Sequence, residues 1–328
     1  MDFSVVVPLY NEEENVQLLY EEIHGVLKGM DARSEIVFVD DGSRDSTLAR
    51  LETIQQQDAG VKVVSLRRNF GQTAAMSAGF DHAGGAVIIT MDGDLQNDPH
   101  DIPKLLAKLD EGYDVVTGWR FDRQDALLSR KLPSMMANRL ISWVTGVSLH
   151  DYGCTLKAFR REVIENINLY GEMHRFIPAI ASGMGISFTE IKVNHRARRF
   201  GTSKYGISRT IRVVLDLMTV KFLLSYATRP LHVFGTVGIF SSLAGFLLAL
   251  ILVIQRQFFG VALADRPLLL LAVLLIFLGI QFITIGLLAE LVVRTYHESQ
   301  KKPIYYVRKV LGAPPTTPVS ALADRQPE

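Results

Sequence analysis

AVIITMDGD, residues 86–94, runs from an apolar stretch into two carboxylates that flank a glycine. The run Ala86–Met91 reads as a buried strand, so Asp92-Gly93-Asp94 falls at a strand's carboxyl end. Upstream, Ser4–Leu9, Glu35–Val39 and Val61–Leu66 repeat the pattern, and Asp114–Thr117 follows it. Between them lie Glu12–Lys28, Ser46–Gln56, Gly71–Ala83 and Asp101–Glu111, which read as helices. In the first, Val16, Leu19, Ile23 and Leu27 form one stripe. Strands alternating with helices predict an α/β fold with a mostly parallel sheet covered on both faces. Ligands of such sheets sit at the carboxyl ends of the strands. Asn11-Glu12, Asp40-Asp41, Arg67-Arg68-Asn69 and Asp92–Asp94 all cluster there.

Each cluster has a chemical reading and a plainer one. Two carboxylates across a glycine can share a hard divalent cation, Mg²⁺ or Mn²⁺, completed by phosphate and water; the plainer reading is an Asx-turn and helix cap. Asp40-Asp41-Gly42-Ser43 can accept from a ribose hydroxyl or base N–H, or cap the next helix. In Pro8-Leu9-Tyr10-Asn11-Glu12, Tyr10 can pack on a base and Glu12 can accept from ribose, or the stretch is a turn. Neither G-x-G-x-x-G nor G-x-x-x-x-G-K-[ST] occurs, which disfavours a dinucleotide dehydrogenase and a P-loop phosphotransferase. Arg120, Arg130-Lys131 and the run HRARRFGTSKY (195–205) supply cations suited to phosphate, or to anchoring at a membrane.

The 328 residues suggest about two structural units. An apolar fraction of 48% excludes a disordered chain, and the single Cys154 excludes a disulfide framework or a Cys-based zinc site. Residues 1–119 carry 9 Lys/Arg against 21 Asp/Glu, residues 120–228 carry 17 against 8, and residues 229–328 carry 9 against 5. The order is acidic, basic, then greasy. Leu231–Ile254 and Leu268–Ala289 contain no Asp, Glu, Lys or Arg and exceed the roughly 20 residues needed to cross a bilayer. Lys and Arg crowd their outer flanks, and the link Gln255–Pro267 holds only Arg256 and Arg266. The positive-inside rule predicts a multi-pass protein of the cell membrane with both termini in the cytoplasm. No signal peptide is visible. Residues 129–149 and 205–228 read as amphipathic helices that can lie in the membrane interface. The expected organisation is a catalytic domain over 1–228, two membrane helices within 229–292, and a basic segment with a disordered tail over 293–328.

The motifs combine into a resemblance. VVPLYNEE (6–13), VDDGS (39–43) and MDGDLQ (91–96) have the order and spacing of family 2 glycosyltransferases. HDYGCTLKAF (150–159), R-x-x-G-x-S-K-Y (198–205) and two C-terminal spans resemble its polyisoprenyl-phosphate branch, related to dolichol-phosphate mannose synthase. The Q-x-x-R-W signature of processive polysaccharide synthases is absent. The resemblance implies a GT-A fold, a nucleotide-sugar donor, a divalent metal and a polyisoprenyl phosphate acceptor held in the lipid bilayer. It puts Pro8, Tyr10, Glu12, Asp40, Asp41 and Asp92 around the nucleotide, and Asp92 and Asp94 at the metal and diphosphate with Gln96 beside them. Arg120, Arg130, Arg198 and Lys204 would meet phosphates, and Asp151 would line the sugar pocket. Asp94, Asp151 and Arg120 are the expected catalytic set.

The implied reaction is displacement with inversion. A phosphate monoester is already largely dianionic at pH 7, so it needs alignment more than a base. UDP-glucose is the expected donor, with GDP-mannose, UDP-N-acetylglucosamine and a modified arabinose donor behind it. Self-association is favoured by so thin an anchor, and no nucleic-acid partner is expected. Two other readings stay open: transfer to a glycolipid or polysaccharide hydroxyl, with Asp151 as base, and a non-catalytic nucleotide-binding membrane protein.

Overall fold

The computed structural model describes residues 1–121, 138–139, 141–142, 145–167, 177–182, 185–197, 230–260, 267–299 and 304–312. Arg130, Arg198, Lys204, most of the 129–149 segment and all of 205–228 lie outside them. The chain divides into two compact units, one within residues 1–220 and 303–328, the other within 221–302.

In the first unit β1 (Phe3–Leu9), β2 (Ser34–Asp40), β3 (Val61–Leu66), β4 (Val87–Thr90) and β5 (Val115–Trp119) alternate with α1 (Val16–Lys28), α2 (Thr47–Gln57), α3 (Gln72–His82) and α4 (Ile102–Asp110). β6 (Lys157–Arg160), α5 (Arg161–Glu165), α6 (Ile177–Ser182), β7 (Phe188–Lys192) and, far along the chain, β8 (Val307–Leu311) complete it. The strands form one sheet in the order β7-β5-β6-β4-β1-β2-β3-β8. β1 is parallel to β2 and β4, and β2 to β3; β6 and β8 run antiparallel to their neighbours. Val5, Val7, Phe38, Val63 and Ile89 share a core with Val16, Leu19 and Ile23 of α1, Leu51 of α2 and Leu105 of α4. A sheet buried by helices needs continuous apolar strands, which VVVPL and EIVFV supply.

The sequence predicts helix from Glu12, whereas α1 begins at Val16. Asn11 is left-handed (φ 52°). The Glu12 N–H donates to Thr47 Oγ1 at 2.9 Å. The N–H groups of Asn11, Glu12 and Glu13 are thus spent on Ser43, Thr47 and Asp45, and the helix starts after them.

The second unit is a hairpin of α7 (Pro230–Phe259) and α8 (Pro267–Ser299). Their apolar stretches, Phe234–Phe258 and Pro267–Leu288, are long enough to cross a membrane. A Cβ on Gly238 would fall 2.6 Å from the Gly279 carbonyl oxygen, and one on Gly245 would fall 2.7 Å from that of Ala272. Ser241 Oγ donates to Leu275 O at 2.9 Å. Partner numbers fall on α8 as they rise on α7, so the helices are antiparallel. Backbones this close require small residues, the usual seam between helices in lipid. Phe240, Phe246, Leu270 and Phe277 point outward and exposed, an apolar surface that water does not favour.

Candidate functional site

From β1 the chain steps outward to β2 and β3, while β4 returns to the other flank of β1. Strand order reverses at β1/β4, and such a reversal opens a crevice at the carboxyl ends. Three loops meet there: Tyr10–Glu12 after β1, Asp40–Ser43 after β2, and Asp92–Asp94 after β4. Gly93 lies on the end of β1, where a Cβ would sit 2.2 Å from Leu9 Cδ2 and 3.3 Å from the Pro8 carbonyl oxygen.

The first two loops are stitched together. Asn11 N donates to Ser43 Oγ at 2.9 Å, and Arg44 N to Asn11 Oδ1 at 2.8 Å. The side chain of Glu12 accepts from Asn15 Nδ2 at 2.6 Å. Tyr10 and Pro8 are both half-buried. Asp40 is buried and shapes the turn: Oδ1 accepts from Ser43 N at 3.0 Å, Oδ2 from Ser65 Oγ at 3.1 Å. Gly42 has φ +66°, and its Cβ would fall 2.4 Å from the Arg68 carbonyl carbon. Only glycine combines that conformation with that approach.

Asp41 reaches toward β3. Its two oxygens accept from Phe70 N (2.8 Å) and Gly71 N (2.9 Å). Burial pushes its pKa up to about 6 despite these donors. The adjoining Gln72 donates through Nε2 to Asp92 Oδ1 at 2.8 Å. The 67–72 loop therefore links the Asp40-Asp41 cluster to the Asp92–Asp94 cluster.

Leu95, directly after Asp94, is left-handed (φ 61°). For a non-glycine residue this costs about 1–3 kcal/mol, strain of the kind found at functional sites. Gln96 N donates to Asp94 Oδ1 at 3.2 Å. Gln96 is also fixed from β7's exit: Arg196 N donates to Gln96 O at 2.9 Å, and Asn97 bridges His195. The Arg196 guanidinium spans Glu22 (2.7 Å) and Asp98 (2.8 Å). Arg196 is thus tied to the segment that follows Asp94. No cluster of three or more His, Cys, Asp or Glu suited to a metal occurs among the described residues. Two carboxylates on one tight turn instead suit a cation that keeps phosphate and water oxygens, as Mg²⁺ and Mn²⁺ do.

Arg120 follows β5 and forms a two-pronged pair with Asp151: Nε to Oδ2 at 2.7 Å, and a second guanidinium nitrogen to Oδ1 at 2.9 Å. Both side chains are nearly buried. Burial disfavours the guanidinium charge, but Asp151 outweighs it and Asp92 adds to the effect, so the Arg120 pKa rises. Asp151 Oδ1 also accepts from Gly153 N at 3.1 Å, and Asp151 N donates to Glu190 Oε1 at 3.2 Å. Cys154 is buried beside this pair, and burial pushes its thiol up to about 12, so it stays protonated.

Pro8 and Asp40, at the carboxyl ends of β1 and β2, and Tyr10, Glu12, Asp41, Asp92, Asp94 and Gln96, on the loops that follow, thus lie at one edge of the sheet, and Arg120 acts electrostatically on Asp92. Arg130, Arg198 and Lys204 lie outside the described residues. Sequence reasoning missed Gln72 and Glu190, and read Arg196 as a phosphate or membrane cation of the 195–205 run, whereas it pairs with Glu22 and Asp98. Each of these contacts spans 20 residues or more, so no local spacing marks it.

The Glycosyl transferase family 2 model matches residues 4–167. The chain is 45% identical to a dodecaprenyl-phosphate galacturonate synthase of Rhizobium johnstonii, covering 94% of this chain and 93% of the relative. It is 41% identical to an undecaprenyl-phosphate 4-deoxy-4-formamido-L-arabinose transferase of Proteus mirabilis, covering 94% of each. Among solved structures, glucosyl-3-phosphoglycerate synthase of Mycobacterium tuberculosis, crystallised with Mn²⁺ and UDP, superposes with a TM-score of 0.54 at 18% identity, over 68% of this chain and 79% of that one. At that identity the likeness speaks for the GT-A fold alone.

Proposed function

The chain belongs to glycosyl transferase family 2, and from that premise we propose that it moves one sugar from a nucleotide sugar to a polyprenyl phosphate at the membrane surface. The observation that carries the reading is the Asp92-Gly93-Asp94 turn at the β1/β4 reversal, joined through Gln72 to the Asp41 loop and within electrostatic reach of Arg120. A nucleoside diphosphate needs such an edge: polar loops for the nucleoside and positive charge for the leaving group.

Asp92 and Asp94 would hold Mg²⁺ or Mn²⁺, which when bound supplies Lewis acidity toward the diphosphate. Asp41 fixes the backbone of the 70–71 turn, and Arg120 places fixed positive charge within electrostatic reach of Asp92. A lipid phosphate oxygen attacks the anomeric carbon. The bond from that carbon to the donor phosphate breaks, and the nucleoside diphosphate leaves with the electron pair. No proton is removed from the nucleophile, because the phosphate is already ionised. Configuration inverts.

Asp151 argues against a hydroxyl acceptor. Its carboxylate is committed to Arg120 and Gly153, so it is poorly placed to take a proton. The polyprenyl phosphate follows from the names of relatives that match nearly the whole chain. Those relatives carry galacturonate and formamido-arabinose, so the donor assay extends beyond UDP-glucose to these sugars. The two apolar helices support a multi-pass membrane protein, and the Lys and Arg crowding their outer flanks supports a cytoplasmic catalytic unit.

Detergent-purified protein is incubated with undecaprenyl phosphate, Mg²⁺ or Mn²⁺, and labelled UDP-glucose, UDP-galacturonate, UDP-4-deoxy-4-formamido-L-arabinose or GDP-mannose. Label should enter the organic phase with one donor, stop with EDTA, and be lost in Asp94→Ala, which still inserts in membrane. Folded protein that transfers from none of them would sink the proposal.

A further inference from the structure

The chain re-enters the sheet after the second apolar helix. β8 pairs antiparallel with β3, matching Val63 with Leu311 and Ser65 with Lys309, and the register shifts at Ser65/Leu66. That shift lies at the carboxyl end of β3, where the 67–72 loop begins. The contact continues into the loop: Arg67 N donates to Tyr306 O at 2.9 Å. The Tyr306 ring lies 6.1 Å from that of Phe70, tilted 48°, and the Arg68 guanidinium sits 4.2 Å from the Phe70 centroid. Tyr305 is buried beneath, its hydroxyl donating to Asp81 Oδ2 of α3 at 2.5 Å. Lys309 pairs with Glu52 of α2.

The far side of the same loop faces the crevice. Phe70 and Gly71 donate their N–H groups to Asp41, and Gln72 donates to Asp92. The geometry points to β8, through Tyr306, as a positioning element of the donor pocket: the segment after the membrane hairpin fixes the loop that sets Asp41 and Asp92. This rests on the reading of that crevice as the donor site. A loop held on both sides is pre-organised, and binding then pays less ordering entropy. Tyr306 is 60% exposed, so it is a poor candidate for a core residue. Its ring has an identifiable contact in Phe70, worth about 0.7–1.4 kcal/mol for an aromatic pair, or roughly three- to tenfold in affinity.

The test uses full-length protein in detergent, with UDP and GDP binding by calorimetry and steady-state kinetics against each substrate. Tyr306→Ala should raise the dissociation constant of the nucleotide the wild type binds, and the donor KM, by about three- to tenfold. kcat and the acceptor KM should stay within about twofold. Tyr306→Phe should behave as wild type. Lys309→Ala loses an ion pair of β8 away from the loop and should leave donor KM unchanged. If Tyr306→Ala fails to fold, Phe70→Leu removes the same ring contact and should give the same shift. An unchanged donor KM would overturn the inference, as would a fall in apparent kcat with KM constant, the mark of lost folded protein. If the wild type binds neither nucleotide and transfers no sugar, the donor-site reading itself fails. If it does both and the variants match it, only the role of β8 fails.

Discussion

The Arg120–Asp151 pair shows how much one contact can carry. Both groups are nearly buried and joined by two short hydrogen bonds. Removing one partner leaves the other charge stranded, at a cost of about 3–5 kcal/mol. Asp151→Ala should therefore lower the melting temperature sharply. The double variant Arg120→Met/Asp151→Leu should recover much of that stability without recovering transfer; if transfer returned, Arg120 would have no role beyond the fold. Asp41 offers a pH-dependent test. Its pKa rises from 3.8 to about 6, with burial and neighbouring Asp40 raising it while the Phe70 and Gly71 N–H groups and Arg68 lower it. A carboxyl with a raised folded pKa stabilises the fold at low pH, and that contribution fades as pH climbs from about 4 to about 6. The melting temperature of wild type relative to Asp41→Asn should fall across that interval; a constant gap would mean that Asp41 does not titrate there.

Among the elements, β1 to β5 were legible because buried parallel strands announce themselves as apolar runs. β6, β7 and β8 were not. Phe188–Lys192 and Val307–Leu311 are half-exposed strands of mixed polarity, and their place is set by partners distant in sequence. β8 carries Arg308 and Lys309, charges that suit an exposed edge strand but mask its period. The helical hairpin is the reverse case: its spans were plain, its seam was not. Gly279→Leu should drive side-chain atoms into Ser242 and the Gly238 carbonyl and separate the helices. Thermal unfolding in detergent should shift down by several degrees, whereas Phe277→Leu, on an exposed position, should not move it.

At the scale of the whole molecule the charge blocks predict a topology that can be measured. The only native cysteine, Cys154, is buried, so introduced thiols can be labelled against a low background. Gly260→Cys, just past the end of α7, should react with an impermeant maleimide in intact cells. Glu111→Cys, in the catalytic unit, should react only after permeabilisation. The opposite pattern would invert the proposed orientation.

By itself the sequence determined the α/β class, the two apolar spans, and the Asp40-Asp41 and Asp92–Asp94 clusters at strand ends. These depend on local periodicity and turn chemistry, which neighbouring residues encode. Only the tertiary structure decided what those carboxylates do to one another. Asp40 is turned inward to Ser43 and Ser65, Asp41 holds the loop after β3, and Gln72 ties that loop to Asp92. Arg120 finds Asp151 31 residues on, and Tyr306 reaches Phe70 from beyond the membrane helices. Such contacts follow from sheet order and crossover, which bring together side chains that no spacing along the chain relates.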